Sequence, residues 1–231
     1  MMKNILLIGG SHGIGLEVVK QLHTNNNVIV ASRTNDNLKE LNVTHHTFDA
    51  YKDNLEDLDL PEQLDGFIYC PGTINLKPFK MLKQEDFEDD LHKNFISLVN
   101  CTRAILPRLK KSNQASIVYF STVAVKLGMP FHTSVAASKG AIEGFAKALS
   151  AEYAPKIRVN VIAPSLTNTS LSSNILNNDK KKQLMNERHP LKRVGEAIDI
   201  ANATTYLLSD KSSWMTGQVI HLDGGMSTLK V

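Results

Sequence analysis

Short runs of β-branched and other apolar residues alternate along the chain with longer amphipathic stretches. The runs "NILLIG" from Asn4, "NVIVAS" from Asn27, "GFIYC" from Gly66, "ASIVYFS" from Ala115, "IRVNVIAP" from Ile157 and "GQVIHLD" from Gly217 are apolar through most of their length. Runs of this kind predict strands buried on both faces, as in a parallel sheet. Between them, helical spacing runs from Ile14 to about His23, over a further piece after the second strand, over "EDFEDDLHKNFISLVNCTRAILPRL" from Glu85 and over "SKGAIEGFAKALSAEYA" from Ser138. Strand and helix in alternation, joined by right-handed crossovers, give an α/β fold with a doubly wound parallel sheet.

Nothing divides the chain further. There is no internal repeat and no linker rich in Pro or Gly, and 231 residues fit one domain spanning 1–231. The stretch after the sixth strand, "NTSLSSNILNNDKKKQLMNERHPLKRVG" from Asn168, is polar and rich in Asn and Ser. It reads as a mobile insertion around 168–188, placed where a doubly wound sheet binds its ligand, and able to close over a substrate. An inert surface excursion fits the composition equally well.

Composition removes other classes. A formal net charge of +3, with Lys180–Lys182 as the longest basic run, describes a solvated helix face rather than a phosphate track. No aromatic and basic interleaving points to nucleic acid. The two cysteines, Cys70 and Cys101, lack neighbours at metal-ligand spacing, so reduced thiols in a cytoplasmic protein and no bound metal are expected. The apolar stretch near the N-terminus ends in glycines, and no run approaches the ~18 apolar residues of a membrane span, so no membrane association is expected.

The first chemical signal is "LLIGGSHGIGLEVV", where Gly9, Gly13 and Gly15, with Ser11, His12 and Ile14 among them, lie between a strand and an amphipathic helix. Such glycines permit a tight turn, close approach to a pyrophosphate and close helix–strand packing, with the helix N-terminus facing the anion. The second strand ends in Ser32 and Arg33. An acidic residue there would take the ribose hydroxyls of NAD, whereas Arg accommodates a 2′-phosphate, so NADP(H) is preferred over NAD(H).

These blocks, together with Asp49 after the third strand, Asn94 in "HKNFISL", "ASK" at Ala137–Lys139, "RVNVIAP" at Arg158–Pro164, "HPLKRVGEAIDIANATTYLLSD" and "MTGQVIHLDGG", resemble the short-chain dehydrogenase/reductase family over nearly the whole length. The resemblance implies a single-domain Rossmann fold with a sheet of about seven strands, a nicotinamide cofactor, a small-molecule substrate and a homodimer or homotetramer. It also implies a working group of Ser, Tyr, Lys and Asn. Asn94 and Lys139 match the Asn and the Lys, which also holds the nicotinamide ribose. The Ser falls on Thr122, with Ser121 beside it, and the Tyr, four residues before the Lys, falls on Val135. Asp49, Gly72, Pro164 and Thr169 complete the implied cofactor frame, Thr169 matching the threonine that meets the carboxamide. Two further departures stand nearby: Tyr69-Cys70-Pro71-Gly72 replaces the family's "NNAG", and Pro164-Ser165 replaces "PG".

The phenol donates a proton to the carbonyl oxygen, and the Lys ammonium lowers its pKa. Valine does neither. Loss of a positioned acid typically costs about 10² to 10⁴ in rate. His132, seven residues before Lys139, stands at the distance at which the related enoyl reductases carry their tyrosine, and imidazole is a competent acid. Thr133 and Ser134 offer hydroxyls to orient a water, and Thr122 or Ser121 can stabilise charge on a carbonyl oxygen. The phenols Tyr69 and Tyr153 remain, Tyr69 reading as packing. Two functions therefore stand at this level: an NADP(H)-dependent oxidoreductase acting on a small carbonyl or alcohol with an altered acid, or a catalytically silent dinucleotide binder serving as sensor or oligomer partner.

Overall fold

Seven parallel strands form one sheet in the order β3-β2-β1-β4-β5-β6-β9 in the computed structural model, which describes residues 2–230. The strands are β1 (Asn4–Ile8), β2 (Asn27–Ser32), β3 (Thr44–Thr47), β4 (Gly66–Tyr69), β5 (Ala115–Phe120), β6 (Ile157–Pro164) and β9 (Val219–Leu222). A separate two-residue pair, β7 (Thr167–Asn168) with β8 (Gly195–Glu196), ties the start of the polar insertion to its end. The helices are α1 (Gly13–Leu22), α2 (Gln84–Leu91), α3 (Ser97–Leu109), α4 (Ala124–Leu127), α5 (Thr133–Tyr153), α6 (Asp179–Glu187) and α7 (Ala197–Leu208).

Alternate residues of each strand face opposite sides of the sheet. In β1, Leu6 and Ile8 join the layer under α3 and α5, with Leu98, Ile105, Ile142 and Leu149, whereas Ile5 and Leu7 join Val18, Val19, Ile200 and Leu207 of α1 and α7. Both faces are thereby covered, which is why the central strands are apolar throughout. No helix among the described residues is long and apolar enough to cross a membrane.

Two local expectations, both helical, are corrected. The helical piece after β2 is a single 3₁₀ turn, Asp36–Leu38. Its Asn35, Asp36 and Asn37 favour turns because their side chains compete for the backbone. The edge strand β3 is the polar "THHT" and carries no apolar run. The long stretch from Glu85 is two helices joined by a π-turn at His92–Ile96, which contains Asn94. Single π-turns are a common device for redirecting a side chain at a functional site.

Arg158, in β6 and only 5% exposed, fastens the far end of the sheet. Its Nη1 donates to Ser212 Oγ at 3.0 Å and Met215 O at 3.3 Å, and its Nη2 to Leu207 O at 2.9 Å and Ser209 O at 3.2 Å. These bonds satisfy the carbonyls at the C-terminal end of α7. Arg158→Leu removes these charge-assisted bonds, leaving Leu207 O, Ser209 O and Met215 O to the Ser116, Ser212 and Asn160 side chains, and is expected to lower the unfolding free energy by about 2 kcal/mol. Urea denaturation followed by circular dichroism measures it, and a loss below about 1 kcal/mol contradicts this role.

Candidate active site

The loops leaving the carboxyl ends of β1, β2, β4, β5 and β6 enclose two adjoining cavities, of about 260 Å³ and about 350 Å³, that share Cys70, Gly72 and Leu171. Ligands of doubly wound sheets bind along this edge. Gly9, Ser11, His12, Ser32, Arg33, Asp49 and Gly72 line the larger cavity. Ile14, Gly72, Lys139, Pro164 and Thr169 line the smaller one, together with Ser121, Thr122, His132 and Val135. Asn94 does not reach either wall.

The glycine loop is built for close approach. Gly9 and Gly13 take φ values of +82° and +54°, and a Cβ on Gly15 would lie 2.4 Å from Gly9 O. Only glycine relieves that contact. The helix behind the loop begins at Gly13 with no side-chain cap and no acid in its first turn, so its free N–H groups face the cavity side unneutralised. In the larger cavity Ser32 Oγ donates to Thr34 O at 2.8 Å, whereas Arg33 is exposed and forms no ion pair among the described residues.

The smaller cavity is organised by α5, which places Val135 and Lys139 one turn apart on its buried face. Lys139 Nζ donates to Phe120 O at 3.1 Å, at the end of β5. Desolvation lowers its pKa to about 8, against the opposing influence of Cys70 and Asp90. A Cβ on Gly72 would lie 3.0 Å from Lys139 Nζ and 3.1 Å from Asn94 Oδ1, so both groups crowd one bare backbone position. Burial pushes the Cys70 thiol up to about 12, so it is neutral beside the lysine.

Asn94 lies behind this wall, fully buried. Its Oδ1 accepts from Thr73 N at 3.0 Å, and its Nδ2 donates to Thr73 Oγ1 at 2.8 Å and Ser138 Oγ at 3.1 Å. Thr73 Oγ1 and Ser134 Oγ in turn donate to the buried Asp90 carboxylate, at 2.6 Å and 2.7 Å. Asp90 and Thr73 carry no periodic or motif signal, and sequence reasoning missed them.

The two hydroxyl candidates differ. Ser121 Oγ donates to Glu143 Oε1 at 2.5 Å and is turned onto α5, whereas Thr122 Oγ1 accepts from Ala124 N at 3.3 Å and keeps its proton free. His132 is half-buried at the cavity wall, with Nδ1 donating to Pro130 O at 2.7 Å. Thr133 is exposed, and neither it nor Ser134 lines the cavity. Tyr69 is packed in the core, and Tyr153 ends α5, about 27 Å along the helix from Val135.

The insertion contributes more apolar surface than its composition suggests. Leu171, Ile175 and Met185 face the smaller cavity, with Arg188 at its edge. Ser165 and His189 also line this cavity, bonded to each other at 2.8 Å. His189 stands inside a motif block, yet nothing in its spacing signals that it is buried.

A family model described as "Enoyl-(Acyl carrier protein) reductase" matches residues 9–227. The chain is 30% identical to the 3-oxoacyl-(acyl-carrier-protein) reductase FabG of Chlamydia trachomatis serovar D over 243 residues, covering 97% of each protein. A short chain dehydrogenase family protein from Francisella tularensis superposes with a TM-score of 0.88 at 26% identity, over 99% of this chain and 100% of that one. The structure of ElxO with NADP bound superposes with a TM-score of 0.88 at 22% identity, covering 99% and 100%. This chain belongs to the short-chain dehydrogenase/reductase family of oxidoreductases.

The buried lysine has a consequence for stability. Its folded pKa of about 8 lies below the ordinary 10.5, so below about pH 8 it is charged in both states and its burial opposes folding in full. Between pH 8 and 10.5 the unfolded chain binds the extra proton, and stability rises with pH. The stability of Lys139→Met relative to the native protein is therefore expected to fall by about 3 kcal/mol between pH 7 and about pH 10.5. Paired urea titrations of the cofactor-free proteins at both pH values check the sign.

Proposed function

We propose that this protein is an NADP(H)-dependent oxidoreductase acting on a small carbonyl or alcohol, with Val135 in the place of its family's proton-donating tyrosine. The observation that carries the reading is the pair of cavities joined at Cys70 and Gly72 along the carboxyl edge of the sheet. The glycine loop fits a dinucleotide, because a Cβ at Gly15 would collide with backbone and the uncapped start of α1 lacks an anion. When bound, the dinucleotide supplies or accepts the hydride.

The chain's own residues divide the remaining work. The backbone of Ser11, His12, Gly13 and Ile14 takes the pyrophosphate, and Arg33 takes the 2′-phosphate, with Ser32 shaping the turn beside it. Asp49 closes the adenosine end. Lys139 holds the nicotinamide ribose hydroxyls, and Pro164 and Thr169 border the carboxamide. Thr122 donates a hydrogen bond to the substrate oxygen on which charge develops, with Ser121 and Asn94 holding the loop and the lysine in place. Ile74, Leu171, Ile175 and Met185 favour a substrate with an apolar body. The segment 168–188 covers the cavity and acts as its lid. The protein assembles as a homodimer or homotetramer, a reading supported by Trp214, a large aromatic that is 99% exposed.

A second reading, a silent dinucleotide binder, is favoured by Val135, Cys70 and Ser165, three departures from the family's residues lining the same cavity. Oxidation of NADPH against a panel of aldehydes, ketones and diketones separates the two, run for the native protein and for Val135→Tyr. Native turnover within about tenfold of the variant supports the enzyme with a displaced acid. Activity only in the variant favours the binder.

Arg33→Asp is expected to weaken NADPH binding by about tenfold or more, roughly 1.4 kcal/mol, while NADH binding changes little. Fluorescence titration with each dinucleotide measures both constants, and equal weakening of the two removes the basis for the NADP(H) preference.

A further inference from the structure

Ser165 follows β6 directly, and its backbone N donates to Leu222 O at 3.1 Å. The preceding carbonyl, that of Pro164, accepts from Val123 N at 3.0 Å. Ser165 and Thr122 therefore stand at the ends of neighbouring strands, which lie about 4.8 Å apart. Both line the cavity that also holds Lys139 and Val135.

The Ser165 hydroxyl has an unusual partner. Its Oγ lies 2.8 Å from His189 Nε2, and its other contact is the weak acceptor Met226 Sδ at 3.4 Å. His189 is 2% exposed, and its Nδ1 lies 2.8 Å from Met185 O. A carbonyl only accepts, so Nδ1 carries a proton and Nε2 is the nitrogen that exchanges with Ser165. A hydroxyl backed by an oriented imidazole, inside an apolar cavity, is a proton-transfer device. The other hydroxyls and imidazole of the cavity lack this arrangement: Ser121 is bound to Glu143, and His132 reaches Pro130 O with no hydroxyl between it and the cavity.

We propose that Ser165, held and recharged by His189, donates the proton to the substrate's carbonyl oxygen in place of the absent phenol. This rests on the oxidoreductase reading above. As hydride from the reduced nicotinamide dinucleotide reaches the carbonyl carbon, the carbonyl π bond becomes an oxygen lone pair, and that oxygen takes the Ser165 Oγ proton. Ser165 Oγ in turn takes the Nε2 proton of a His189 imidazolium. The histidine is left neutral, with Nδ1 still bonded to Met185 O, and a proton taken up from solvent, the one the overall reduction consumes, returns to Nε2 before the next turnover. Alcohol oxidation runs the same transfers backwards. Ser165 is the catalytic residue, and His189 is a positioning residue that acts through it.

The test uses 4-dimethylaminocinnamaldehyde, whose visible band moves to longer wavelength as its carbonyl oxygen accepts a stronger hydrogen bond. With cofactor-free protein, the native chain is expected to move the band to longer wavelength, Ser165→Ala to remove most of that shift, leaving the part due to Thr122, and His189→Gln to reduce it. With NADPH and the same aldehyde, Ser165→Ala is expected to lower kcat by about a hundredfold with KM within about threefold. Adding Val135→Tyr to Ser165→Ala then restores at least about tenfold of the lost rate, which a merely structural role of Ser165 would not allow. Ser165→Gly, which changes no backbone hydrogen bond, replaces the alanine variant if circular dichroism shows that the latter is unfolded. A band shift and kcat that stay at their native values in the Ser165 variants overturn the assignment while leaving the oxidoreductase reading intact. A native protein that moves the band but oxidises no NADPH with any carbonyl overturns both.

Discussion

The site depends on a lysine ammonium held inside the protein. Burying such a charge costs several kcal/mol unless polar groups surround it. Around Lys139 these are the Phe120 carbonyl at the end of β5 and, further off, Asp90, itself 1% exposed and held by the hydroxyls of Thr73 and Ser134. The requirement reaches outward from there. A side chain at Gly72 would crowd Lys139 and Asn94, and the π-turn at His92–Ile96 aims Asn94 at the loop carrying Gly72 and Thr73. A polar cluster of this kind is stable only when each member is satisfied, so the geometry of one cavity wall is set as a unit.

On the function proposed above, that wall lets the chain keep a family's scaffold with a different acid. The 21-residue α5 presents Val135 and Lys139 on one buried face, so the side chain at 135 can change while the lysine and its supports stay where they are. The apolar side chains of the insertion line the space opposite. Ser165 and His189 then supply the polar pair at the edge of an otherwise apolar space, beside the Thr122 loop rather than on α5.

Much of the fold was legible because the central strands, buried on both faces, must be apolar throughout. β1, β2, β5 and β6 each announce themselves in this way, and with intervening amphipathic segments they leave few topologies. The edge strand β3 escaped because one side of it meets solvent, and its Thr and His residues carry no apolar period. Around the site, the glycine loop was legible because backbone conformation demands glycine at Gly9 and Gly13, whose φ values are positive. The partners of Asn94 were not legible, since Thr73 and Ser138, and beyond Thr73 the Asp90–Ser134 pair, come from separate elements and meet only through tertiary packing. His189 was hidden for the same reason, and the polar composition of 168–188 concealed the inward-facing Leu171, Ile175 and Met185.

Whether the two cavities are one dinucleotide site is tested by a crystal structure of the protein grown with NADPH. The 2′-phosphate is expected beside Arg33, the pyrophosphate over Gly13 and the start of α1, and the nicotinamide in the smaller cavity between Lys139 and Thr169. NADPH absent at saturating concentration, or bound with its nicotinamide outside that cavity, would contradict a single dinucleotide site.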